Sequence, residues 1–155
     1  MARVRHQVPG SITVSRQVRI ADAFSNGATT KFALEQPANS IIESVLIRAV
    51  GDITVGSAVD IDFNLGTNSD HTGNEVVTSI AYLDGSANTT VNAGVVKTCS
   101  IVDGVNSDAI NSYGNPAAVT TDDRTLFGRF VTGAADVTTG AGKNEVEVHV
   151  TFRQF

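Results

Sequence analysis

Apolar and polar residues alternate with a period of two along most of the chain, the signature of half-buried β-strands. In residues 11–20 the apolar set Ile12, Val14, Val18 and Ile20 shares one face, while Thr13, Ser15, Gln17 and Arg19 share the other. Arg16 falls among the apolar positions, which predicts an edge strand or a carboxylate reached at an interface. Residues 24–29 read as a loop through Asn26-Gly27, and 30–34 as a short strand closed by the turn signal Gln36-Pro37, because proline cannot donate to a ladder. In 41–50 both faces are apolar, with Ile41, Val45, Ile47 and Ala49 on one and Ile42, Leu46 and Val50 on the other. That pattern predicts cover on two sides, either inside a sandwich or beneath a second subunit. Residues 58–65 alternate cleanly, Val59, Ile61, Phe63 and Leu65 inward and Asp60, Asp62 and Asn64 outward.

Beyond them, 66–74 is polar with two glycines and no apolar anchor, and reads as a surface loop. Residues 75–83 read as a strand, although Val76, Ile80 and Leu83 also fit a period of 3.6 and leave a short helix as the alternative. One or two strands follow in 88–102, broken near Asn92-Ala93-Gly94, and 105–123 has no sustained periodicity. Such a long connection either crosses between sheets or meets a partner. Order resumes at 125–132, where Phe127 and Val131 oppose Leu126 and Phe130, and 133–144 is a Gly/Ala/Thr loop. The last strand, 145–152, sets Val146, Val148, Val150 and Phe152 against Glu145, Glu147, His149 and Thr151. Together these elements predict an all-β chain of about seven to nine strands, folded as a single-domain β-sandwich of jelly-roll or immunoglobulin-like type over 11–155, with an N-terminal arm at 1–10.

Composition agrees. Val, Ile and Thr supply 21, 10 and 17 of the 155 residues, far more than the strong helix formers. No apolar run approaches the roughly 20 residues of a membrane span, and residues 1–10 lack the apolar core of a signal peptide, so no membrane partner is expected. A single cysteine, Cys99, precludes an internal disulfide, and three scattered histidines do not form a zinc spacing. The fold is expected to rest on packing.

Charge is unevenly placed. Residues 1–21 hold Arg3, Arg5, Arg16 and Arg19 without an acid, while the rest has seven Lys or Arg against sixteen Asp or Glu. An acidic body repels a phosphate backbone, so no nucleic-acid partner is expected, whereas Arg3 and Arg5 suit contact with an acidic neighbour. Among possible sites of chemistry, Asp60-x-Asp62-x-Asn64 has Leu65 and His71 where a calcium loop needs glycine and glutamate. Gly140-Ala141-Gly142-Lys143 is followed by Asn144 and preceded by Val137, which breaks the phosphate-loop pattern. Cys99 has no nominated histidine. No catalytic constellation, metal site or cofactor is expected, and surface logic prefers a chain that packs against copies of itself or a neighbour. Tyr82 and Tyr113 without any tryptophan make a carbohydrate-binding module the distant alternative.

The stretch Leu34-Glu35-Gln36-Pro37-Ala38-Asn39-Ser40-Ile41-Ile42-Glu43-Ser44-Val45, continued by Asp60-Ile61-Asp62-Phe63-Asn64-Leu65-Gly66, resembles small β-rich virion proteins of tailed bacteriophages, marine phages in particular. Here Gln36 stands before Pro37 where the resembled opening has leucine. The resemblance implies a non-enzymatic capsid decoration (cement) protein on the virion surface, bound to the major capsid protein and assembled as a homotrimer. A tail or head-tail junction component is the alternative. It carries over no functional residue individually. Arg3, Arg5, Arg16 and Arg19, with Ile42 and Leu46 on the two-sided strand, are the expected partner-binding residues.

Overall fold

In a computed structural model of the chain, the described residues are 10–20, 29–54, 60–71, 75–84, 90–101, 122–133 and 145–154. They form ten strands: β1 (Ser11–Arg19), β2 (Thr29–Gln36), β3 (Ser40–Ala49), β4 (Ile53–Thr54), β5 (Ile61–Gly66), β6 (Glu75–Leu83), β7 (Thr90–Val91), β8 (Val96–Cys99), β9 (Arg124–Thr132) and β10 (Glu145–Gln154). Four pair in the order β1-β10-β3-β8, four in the order β2-β9-β5-β6, and β4 pairs with β7. Every pairing is antiparallel. The pairing is mirrored about the middle of the chain: β1 meets β10, β2 meets β9, β3 meets β8, β4 meets β7 and β5 meets β6. A long antiparallel ribbon rolled on itself gives this order, the jelly roll, and the immunoglobulin alternative falls away.

The two four-stranded sheets stack with β1 over β2 and β8 over β6. Between them lie Val146, Val148, Val150 and Phe152 from β10, all fully buried, facing Leu126 and Phe130 of β9 and Ile61, Phe63 and Leu65 of β5. Alternation along each strand puts these side chains on one face, and burying a large apolar side chain contributes about 1.5–3 kcal/mol. Phe32, Phe63, Phe130 and Tyr82 form an aromatic knot, the Phe63 and Phe130 centroids 5.0 Å apart. Opposite Phe32 in the ladder stands Gly128, whose missing side chain admits the Phe32 ring. The Tyr82 hydroxyl is buried without a hydrogen-bond partner among the described residues, and burial pushes the phenol's pKa up.

Most of the expected strands stand, with informative differences. The second strand runs on to Gln36, because Gln36 is buried and bonded on both ends of its amide: Nε2 donates to Ser40 O (3.0 Å) and Oε1 accepts from Arg124 Nε (2.8 Å). The turn that follows carries Asn39 at φ 52° and is fastened by Asp123, which accepts from Ala38 N at 2.7 Å. Residues 75–83 are strand, not helix. The expected break near Asn92 separates β7 from β8 and contains Gly94 at φ 84°. Of the arm at 1–10 only Gly10 is described, and the long connection at 105–123 is described only from Asp122.

The faces assigned to Ile41 and Ile42 are exchanged. Between Ser44↔Thr151 and Ile42↔Phe152 the register of β3 against β10 slips by one residue, leaving Glu43 as the extra residue of a β-bulge. A slip of one reverses every side chain beyond it. Ile42 therefore joins Val45, Ile47 and Ala49 in the core, while Ile41 and Leu46 are half-buried on the outer face.

Candidate assembly face

The outer face of the sheet β1-β10-β3-β8 is built from the odd-numbered residues of β1 and β10. Their phase follows from the inward valines of β10, and the register sets each polar side chain opposite another: Thr13↔Thr151, Ser15↔His149, Gln17↔Glu147 and Arg19↔Glu145. The outer face is cross-linked accordingly. Thr13 and Thr151 hydroxyls lie 3.0 Å apart, Ser15 Oγ lies 2.7 Å from His149 Nδ1, and Gln17 Nε2 donates to Glu145 at 2.8 Å. Ser11 Oγ donates to Glu43 at 2.8 Å, and Arg153 pairs with the same carboxylate at 2.5 Å. The bulge thus serves this face, since it brings Glu43 to both donors.

A second knot lies one strand further. Arg48 donates through Nε (3.0 Å) and Nη2 (2.7 Å) to Glu147 Oε2, and His149 Nε2 stands 3.3 Å from that oxygen. The hydrogen bonds from Arg48 hold the Glu147 carboxyl below the ordinary carboxylate range, helped by the charges of Arg48 and His149. Glu43 is lowered too, first by the Ser11 hydroxyl and then by Arg153. Exposed pairs of this kind contribute little stability singly. As a lattice they fix the orientation of the side chains across β1, β10 and β3. Leu46, opposite His149 on one side and Thr98 on the other, Ile41, opposite Arg153, and Val96, 52% exposed opposite Arg48, are apolar residues set among them.

Of the residues expected to bind a partner, Arg3 and Arg5 lie outside the described residues. Arg16 and Arg19 are exposed on β1, which is an edge strand among the described residues, the first of the two readings of Arg16's placement. Leu46 lies on the outer face, two strands from β1, and Ile42 faces the core and not that surface. The structure therefore gathers Arg16, Arg19 and Leu46 on one sheet. Sequence reasoning placed Glu147 and His149 on a polar face but did not find their ties to Arg48 and Ser15. Those ties depend on register, whose one readable signal is the shared odd parity of polar positions in 11–19 and 145–153.

The outer face of the other sheet holds a smaller polar group. Asn64, in the outward phase of β5 but only 3% exposed, donates through Nδ2 to Glu75 (2.6 Å) and accepts from Arg129 Nε (3.0 Å). Beside it His71, at φ 67°, lies 2.9 Å from the carbonyl of Gly128 and packs edge-on against Phe127. Part of the expected surface loop therefore folds back over the sheet. On this face Asp62 is half-buried, and desolvation with the neighbouring Asp60 raises its pKa. Cys99 is buried, its thiol pushed up to about 11 by desolvation. Among the described residues no group of three His, Cys, Asp or Glu side chains could hold a metal ion.

With this architecture the chain is similar to a chain in the capsid asymmetric unit of cyanophage Pam1, with 15% identity and a TM-score of 0.56 over 100% of this chain and 92% of that one. It is also similar to a chain in the capsid of Ralstonia phage GP4, with 18% identity and a TM-score of 0.51 over 96% of this chain and 86% of that one. At these identities the likeness shows a shared fold. No protein-family model matches the chain, and no curated protein matches it in sequence.

Proposed function

We propose that this chain is a non-enzymatic structural protein of a phage virion, and more narrowly a decoration (cement) protein that binds the outside of the major capsid protein shell. The observation that carries the reading is the likeness of the whole jelly roll to chains in the capsids of two phages. The arrangement of the outer face supports it. Ser15, His149, Glu147 and Arg48 engage one another, which suits a rigid contact surface better than proton transfer to a bound substrate. The likeness of residues 34–45 and 60–66 to virion proteins points the same way. In this reading the basic residues at 1–21 meet an acidic capsid surface, the assembly is a homotrimer, and Leu46 contributes to the subunit contact.

Mixing the purified protein with undecorated phage heads and imaging them by cryo-electron microscopy tests the reading. Regular added density at local symmetry axes is the expected result. Bare shells in the presence of folded protein would overturn the decoration role and favour a tail or head-tail junction component, which is present in far fewer copies.

A further inference from the structure

Among the described residues β1 is paired on one side only: its ladder is with β10 alone, through nine consecutive positions without a register shift. Gln154 N donates to Gly10 O at 3.1 Å, which sets the phase of the ladder: the even-numbered residues of β1 exchange hydrogen bonds with β10. The amides and carbonyls of Ser11, Thr13, Ser15 and Gln17 therefore point to the open edge. Their side chains are tied to β10 and β3, so the edge is held straight as a template for one more strand.

The chemistry of that edge is specific. On its inward side stand Ile12, 39% exposed, Val14, half-buried, and Arg16, exposed and without a hydrogen-bond or ion-pair partner among the described residues. β1 contains two arginines and no acid. A strand added beside β1 would place alternate side chains next to Ile12, Val14 and Arg16. Like charges placed directly opposite destabilise a strand pair and opposite charges stabilise it. Pairing of β1 with a second β1 in a close register would bring two Arg16 side chains together, so Arg16 opposes edge-to-edge self-association.

We infer that the open edge of β1 is a docking site for an extended acidic segment of another protein, which adds as a fifth strand to this sheet and sets a carboxylate against Arg16 and apolar residues against Val14 and Ile12. The inference concerns which strand the edge accepts, and it holds whether or not that acidic segment belongs to the capsid surface of the decoration reading.

The test uses the full chain and two synthetic heptapeptides of alternating Thr and Val, one with a central Glu and one with a central Lys. Amide hydrogen exchange by NMR is the readout. The Glu peptide is expected to slow exchange at Ser11, Thr13, Ser15 and Gln17, and to bind roughly tenfold tighter than the Lys peptide. Arg16→Glu, at an exposed position and checked for its native spectrum, should invert that preference, and Arg16→Val should abolish it. Binding without protection of those four amides, or a preference unchanged by Arg16→Glu, would overturn the inference. So would concentration-dependent self-association of the unmodified protein through this edge, because the occupant would then be a second copy. If Arg16→Glu loses the Glu peptide but still decorates phage heads, the edge inference stands and the head contact lies elsewhere.

Discussion

Phe32 lies directly over Gly128 across the β2–β9 pair, and a Cβ on Gly128 would stand 2.1 Å from Phe32 Cζ. Both residues are in the interior, where the ring has Phe63 and Phe130 on its other sides. Gly128→Ala should therefore act as overpacking and lower stability by about 1–3 kcal/mol, measured by urea denaturation. Adding Phe32→Leu should recover part of that loss. A Gly128→Ala protein as stable as the parent would mean that the ring has room to move.

Tyr82 places a hydroxyl in the same interior with no partner among the described residues. Leaving a buried hydroxyl unsatisfied costs on the order of 1–3 kcal/mol. Tyr82→Phe keeps the ring contact with Phe130 and removes the orphan oxygen. The expected outcome is a stability equal to the parent or higher by about 1 kcal/mol, and a clear loss would show that the hydroxyl is bonded.

Acid should loosen the outer face of the first sheet. Glu43 and Glu147 have folded pKa values below the ordinary carboxylate value, so their contribution to stability is present above the unfolded pKa and is lost as pH falls through the folded one. Stability measured from pH 6 downward should decline, and Glu147→Gln should shallow that decline. An unchanged slope would show that the Arg48 pairing adds nothing to folding.

Asp62 has the opposite sign. Its folded pKa is raised by desolvation and by Asp60, so its ionised form opposes folding at neutral pH, and that penalty is relieved as pH falls through the folded value. Asp62→Asn should stabilise the protein at pH 7 and leave it nearly unchanged below the unfolded pKa. A thermal denaturation series at the two pH values separates this from a general packing effect.

Much of the fold was legible because local alternation and global burial agree. The even-numbered valines of 145–152 face the core as their period requires, and the 125–132 stretch divides at Leu126 and Phe130 as read. Arg16's position among apolar residues marked β1 as an edge. What escaped was every feature decided between strands. The Glu43 bulge moved Ile42 from outside to inside, and nothing in 41–50 reports a slip against residues a hundred positions away. Asn64 carries an outward phase, but the company of Glu75 and Arg129 buries it. Ile53 and Thr54 are too few to announce β4, which exists because Thr90 and Val91 lie opposite. The assembly face was legible in its polarity and hidden in its partners for the same reason.

The mirrored pairing of the strands has a consequence for the order of folding. β5 and β6, at the centre of the ribbon, can close as soon as both exist, whereas Thr13 meets Thr151 across 138 positions of sequence. Contacts of such separation form slowly, and on a ribosome β1 has no ladder partner among the described residues until β10 has been made. The lattice of Ser11, Thr13, Ser15 and Gln17 is therefore the last of the described contacts to appear. A chain broken short of β10 would lack that surface altogether, so the sheet proposed for assembly is also the one whose presence certifies that β10 has been made.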